Sequence, residues 1–175
     1  MKYRRSLYSF RSSKIRRKIL NNRGFLVKGV PSLLDPYNGR IIHAYSKWDA
    51  EHIVSLKMAW EAGFKDRYIL DPFNTRNQMK QLANDPDNLI SVSSSSNRSR
   101  GSKSIWDWCF LNLAYVPERN RITQELYAKY DLVMTPSQKW AIDWANNKIL
   151  KKYKYGIHLG KVRSWLVSKG LHKIL

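Results

Sequence analysis

Cysteine is nearly missing from this chain: Cys109 stands alone among 175 residues. That excludes an internal disulfide framework and any zinc site built from several thiolates, and leaves a buried, inert thiol as the expectation. Long apolar runs are missing too. No segment approaches the ~20 apolar residues that a membrane-crossing helix needs, and Ser, Arg and Lys interrupt residues 1–20, where the apolar part of a signal peptide would lie. The expected location is therefore the cytoplasm of the producing or infected cell, not secreted and with no membrane partner. Acidic residues are missing from both ends. Residues 1–34 hold ten Lys or Arg and residues 148–175 hold eight, with no Asp or Glu in either stretch.

All 13 acids lie between Asp35 and Asp143, beside 14 basic residues, so a nearly neutral middle separates two strongly basic ends within a net charge of +19. Each Lys or Arg that neutralises a phosphate releases counterions, so this polarity suits a polyanion, and DNA is the expected partner. Arg4, Arg5, Arg16, Arg17 and Lys18 would grip phosphates from an arm over residues 1–32. A hydrophobic fraction of 43% with seven Trp argues for a folded core rather than a disordered polycation.

Local patterns divide the rest. Asn38-Gly39 within 33–42 predicts a hairpin with a type I′ turn. Lys47–Ile53 reads as a strand, Leu56–Ala62 as a short helix ended by Gly63, and Lys65–Arg76 as a connecting loop. A helix over Asn74–Ala83 stops at Asn84–Asp87. Asn88–Val92 alternates like a strand, and Ser93 or a neighbouring serine caps a helix carrying Asn97 and Arg100. A helix follows the loop at Pro117, over Glu118–Tyr130. Thr135-Pro136-Ser137-Gln138 then opens a last long helix with a capping box. A further short helix is expected near Leu159–Gly170. The tryptophans Trp106, Trp108, Trp140 and Trp144 read as core, and His43, His158 and His172 as structural or surface.

The chemistry concentrates in two pieces, Asp49-Ala50-Glu51-His52 and Asp87 to Lys103. Hydrolysing a phosphodiester requires a base for water, a cation for developing charge, and a group that orients the base. The His52 imidazole, with an ordinary pKa of about 6.5, suits the first role. Glu51 and Asn97 are hard oxygen donors suited to one Mg²⁺ or Mn²⁺ ion. Asn88 is placed to accept a bond from the imidazole N–H, and Arg98, Arg100 and Lys103 to contact phosphates. Strand alternation sets a condition on this scheme. It sends Asp49 and Glu51 to one face and His52 to the other, so the strand must bend at its end.

Asp49-Ala50-Glu51-His52-Ile53-Val54-Ser55-Leu56, then Asp87-Asn88-Leu89-Ile90-Ser91-Val92, then Ser96-Asn97-Arg98-Ser99-Arg100-Gly101-Ser102-Lys103 together resemble the HNH (ββα-metal) nuclease superfamily. The likeness is to its His-Asn-Asn branch, found in secreted bacterial nucleases, the C-terminal domain of GmrSD-type restriction enzymes and RNA-guided nucleases. It spans roughly residues 35–150, including Asp35-Pro36-Tyr37-Asn38-Gly39-Arg40, Tyr127–Leu132 and Thr135-Pro136-Ser137. The resemblance implies an α+β fold: a ββα-metal core with a small β-hairpin, embedded in several α-helices. It implies catalytic His52 and Asn88, with Glu51 and Asn97 holding the metal and Asp49 nearby. Two positions depart from the pattern: Glu51 where Asp is usual, and Ser55 where Pro is usual.

The expected organisation is a basic DNA-binding arm (1–32), a nuclease domain with a helical tail (33–150) and a basic helical extension (151–175). The expected activity is metal-dependent DNA cleavage, one strand per site, by a monomer or weak homodimer of phage or mobile-element type. The rivals are a non-specific or RNA-directed nuclease on the same core, and a non-catalytic DNA-binding protein with a decayed site.

Overall fold

The computed structural model describes residues 35–40, 42, 47–103, 108 and 112–154, together with 16, 18, 26, 27, 30 and 31. Of the basic arm, Arg16 and Lys18 are helical and Lys18 is exposed. Arg4, Arg5, Arg17, Trp106, Cys109 and residues 155–175, including the helix expected near Leu159, lie outside the described residues. Two short strands, β1 (Leu26–Val27) and β2 (Val30–Pro31), pair antiparallel.

The fold is α+β. Its central pair is β3 (Trp48–His52) and β4 (Leu89–Ser93), antiparallel with Asp49 opposite Val92 and Glu51 opposite Ile90. Leu89 to Val92 are all buried, which requires cover on both faces of the strand. The helical segment between the strands covers them in part. It comprises α1 (Leu56–Ala59), a wide π-type turn over Trp60–Phe64, α2 (Lys65–Leu70) and α3 (Pro72–Asn84). After β4 the chain enters α4 (Ser94–Arg100). Two longer helices, α5 (Val116–Lys129) and α6 (Pro136–Lys154), pack beside this unit. Ile53, Trp60, Phe64, Met79, Leu82 and Val92 form the centre of the core.

Local chemistry sets most boundaries. Ser55 Oγ accepts from the Met58 N–H at 3.2 Å and caps α1, which gives the serine at the departing position a defined task. Asp71 accepts from the Asn74 N–H and caps α3, with Pro72 at its first position. The expected box at α6 forms: Thr135 Oγ1 accepts from Gln138 N–H and Gln138 Oε1 from Thr135 N–H.

Three expectations change. Gly63 breaks the helix as expected, but no loop follows it. Its φ of 148° widens one turn, the Ala62 carbonyl accepts from the Val133 N–H at 2.8 Å, and helix resumes at Lys65 across the expected loop. Pro117 lies in the first turn of α5 rather than in a loop before it, because proline's missing N–H costs nothing in a first turn. Asn38 lacks positive φ, so Asn38-Gly39 is no type I′ turn; Gly39 alone is left-handed, at 71°. The Asp35 carboxylate organises that loop, accepting from the Tyr37 N–H and Asn38 Nδ2 at 2.9 Å each.

Candidate active site

Asp49 and Glu51 sit two residues apart on β3 and turn to α4, where Asn97 and Arg100 lie one helical turn apart. The two spacings match, and two cross-pairs result. Asn97 Nδ2 donates to Asp49 Oδ2 at 2.9 Å, with both side chains half-buried. Glu51, buried, forms an ion pair with Arg100, which is fully buried. The metal pair expected from the sequence, Glu51 with Asn97, is thus re-partnered: Asp49 is the carboxylate at Asn97. A half-turn of the Asn97 carboxamide would present its oxygen beside the Asp49 oxygen, a hard donor set suited to Mg²⁺ or Mn²⁺. Among the described residues no three His, Cys, Asp or Glu side chains gather as a metal cluster.

His52 takes the other face, as strand alternation requires. Its Nε2 lies 2.8 Å from the Ala83 carbonyl at the end of α3. A carbonyl only accepts, so Nε2 carries a proton, and in the neutral ring the lone pair is then on Nδ1. The chain bends directly afterwards.

Asn88 makes that bend, and its role differs from expectation. Fully buried, it accepts from the Val54 N–H at 2.7 Å and donates to the Val54 and Leu82 carbonyls at 3.1 and 2.9 Å. It holds the backbone beyond His52, while the Ala83 carbonyl holds the imidazole. The Ile53 N–H returns to the Asn88 carbonyl at 3.0 Å.

Arg100 is the clearest correction among the expected phosphate contacts. Its guanidinium donates to the His52 and Ile53 carbonyls at 2.7 and 3.0 Å as well as pairing with Glu51. Burial lowers its pKa to about 10, so it stays cationic at neutral pH. A buried charge with these partners is costly to detach, about 3–5 kcal/mol when one partner is lost, so it cannot swing out to a phosphate. Arg98 and Lys103 are exposed.

Two contributors receive no site role from the sequence. Arg119, from α5 and fully buried, donates to the Ile53 carbonyl at 2.6 Å. Asp35, also buried, accepts from Ser93 Oγ at 2.6 Å, the Ser93 N–H at 3.1 Å and Ser96 Oγ at 2.8 Å, while Ser93 Oγ caps α4. This hub fixes the start of the helix that presents Asn97. Buried Asp and Arg residues are signals for such roles, but burial is not written in the sequence. Of the tryptophans, Trp108 packs edge-on against buried Tyr37 at 5.1 Å. Trp140 is 53% exposed and stacks on half-buried Trp144, so it is not core.

The fold and the site thus define an α+β protein in which a helix following the β3–β4 pair brings Asn97 to Asp49, while His52 lies on the other face of β3 against Ala83. Comparison with known protein families returns no match, and no solved structure matches the chain. An uncharacterized secreted protein of Arthroderma benhamiae is 29% identical over 113 residues, covering 63% of this chain. The chain spans about half, 52%, of that relative's length. The expectation of a cytoplasmic, non-secreted protein is corrected by this finding, since the relative is described as secreted; an interrupted apolar pattern in residues 1–20 is too weak a signal to exclude export. Among the described residues no helix is long and apolar enough to cross a membrane.

Proposed function

We propose that the protein is a metal-dependent DNA endonuclease of the HNH type that cuts one strand per active site. The observation that carries this reading is the β3–β4–α4 unit, which brings Asp49 within 2.9 Å of Asn97 and fixes His52 with its basic nitrogen at Nδ1. In-line displacement at phosphorus places attacking water and leaving oxygen on opposite sides. One phosphate must therefore reach both the imidazole and the Asp49–Asn97 pair at the end of β3, where the chain bends after His52.

His52 Nδ1 takes the proton from the attacking water, and the Ala83 carbonyl holds the ring in the tautomer that permits it. Asp49 and Asn97 would hold one Mg²⁺ or Mn²⁺ ion, which would supply charge stabilisation at the phosphate and the leaving oxygen. Arg98, next to Asn97 in sequence, and Lys103, just beyond α4, are exposed and contact neighbouring phosphates, and the basic ends supply sequence-independent affinity. The secreted relative points to nucleic acid encountered outside the cell.

Incubation of supercoiled plasmid with the protein and Mg²⁺ tests the reading. Open circles are expected to accumulate before linear DNA. His52→Ala should slow cutting by about 10²-fold or more while salt-sensitive DNA binding persists. Absence of metal-dependent cutting of any nucleic acid by the intact protein would overturn it.

A further inference from the structure

The backbone at the end of β3 is held by more charge than a strand end ordinarily receives. Arg100 donates to the carbonyls of His52 and Ile53 at 2.7 and 3.0 Å. Arg119 donates to the same Ile53 carbonyl at 2.6 Å. Both guanidiniums are fully buried. Asn88 satisfies the next residue, Val54, with a neutral carboxamide, so carbonyl coordination here does not itself demand a cation.

Burying a guanidinium costs several kcal/mol, and here two converge on two consecutive peptide groups. The Arg100 fork reaches both carbonyls at once, which fixes their relative orientation, and Glu51 on the preceding residue holds the same guanidinium. Residues 51, 52 and 53 are thereby tied to one planar group. Arg119 is itself located by packing, its guanidinium 5.8 Å from the centroid of the buried Tyr37 ring. Three distant segments therefore meet at the single bend that determines where the His52 side chain leaves the strand.

We infer that Arg100 and Arg119 are positioning residues: a two-guanidinium clamp on the His52–Ile53 backbone that sets the place and tautomer of the imidazole. This deepens the nuclease reading and rests on it for its kinetic consequence. The clamp works through the geometry of the guanidinium fork. Lysine keeps the charge but cannot bridge two carbonyls in a fixed plane. A role in attracting phosphate would survive replacement by lysine; a role in holding the bend would not.

The test compares wild type with Arg100→Lys and Arg119→Lys in two measurements. One is plasmid cleavage in Mg²⁺, resolved into kcat and KM. The other is ring-nitrogen NMR of His52, which distinguishes the Nε2–H from the Nδ1–H tautomer without requiring activity. The expected result is a single Nε2–H tautomer in wild type and a mixture in each variant. With it should come a loss in kcat of about tenfold or more, the scale of small misplacements at a reacting centre, while KM stays within about twofold. An unchanged kcat and tautomer in a folded lysine variant overturns the inference. So does a rise in KM alone, which would make these residues phosphate contacts, or collapse of the fold in both variants, which would make the clamp structural only. A wild type that cuts no nucleic acid, yet loses its single tautomer on substitution, sinks the nuclease reading and leaves the clamp standing.

Discussion

Asn97 reaches across from α4 to Asp49 on β3 and closes a 2.9 Å hydrogen bond, so the contact joining helix to strand is made by the two residues best suited to share a divalent ion. Asn97→Ala and Asp49→Asn should each weaken Mn²⁺ binding by about tenfold or more, read by calorimetric titration of the folded protein. Equal Mn²⁺ affinity in both variants and wild type would remove these residues from the metal site.

Glu51 behaves differently, because its carboxylate already faces the buried Arg100 guanidinium. Glu51→Gln leaves that cation without its counter-charge. A loss of about 3 kcal/mol in unfolding free energy is expected, measured by urea titration. If Mn²⁺ affinity collapsed instead while stability held, Glu51 would be a ligand rather than a partner of Arg100.

Asn88→Ala removes three buried hydrogen bonds to Val54 and Leu82. The backbone groups left behind are unsatisfied, so stability should fall by about 3 kcal/mol. Amide exchange at Val54 should accelerate with it. Unaltered protection there would show that the bend holds without the carboxamide.

Asp85 gives the protein an acid-sensitive joint. Burial pushes its pKa up, but the Lys129 and Tyr130 hydrogen bonds, with the Asp87 N–H, outweigh burial and hold it below the ordinary value. A depressed carboxyl pKa contributes stability that is present above the unfolded value of about 3.9 and is lost as pH falls through the folded value. Melting temperatures of wild type and Asp85→Asn should therefore differ at pH 7 and converge below about pH 4. A gap that persists undiminished at low pH would contradict this assignment.

Arg98→Ala and Lys103→Ala, both at exposed sites, should leave stability within about 0.5 kcal/mol. Each should lower the slope of log binding constant against log salt by about 1. Retention of the full slope in the double variant would mean that the phosphates lie elsewhere.

Short-range features are legible in the amino-acid order alone. Alternation marks β3 and β4, and serine and threonine caps mark α4 and α6, because a cap or a strand face needs only a few consecutive residues. The chemical types in Asp49, His52, Asn88 and Asn97 likewise announce themselves by order and kind.

Partnership and burial are decided elsewhere. Arg98 and Arg100 look alike in a basic turn, yet one is exposed and the other is sealed against Glu51 and two carbonyls. Gly63 stops one helix, as its type suggests, but the resumption of helix at Lys65 was not legible; Val133, arriving from beyond α5, satisfies the Ala62 carbonyl at that break. The tie of Asp35 to the start of α4 and that of Arg119 to β3 carry no local sign, because those partners lie 58 or more residues away. Sequence by itself determined the local hydrogen-bonding grammar of strands, caps and turns, along with the reactive groups available. Which charges became buried pairs and which stayed open to phosphate was decided only by tertiary packing, since the cost of desolvating a charge depends on every segment that closes around it.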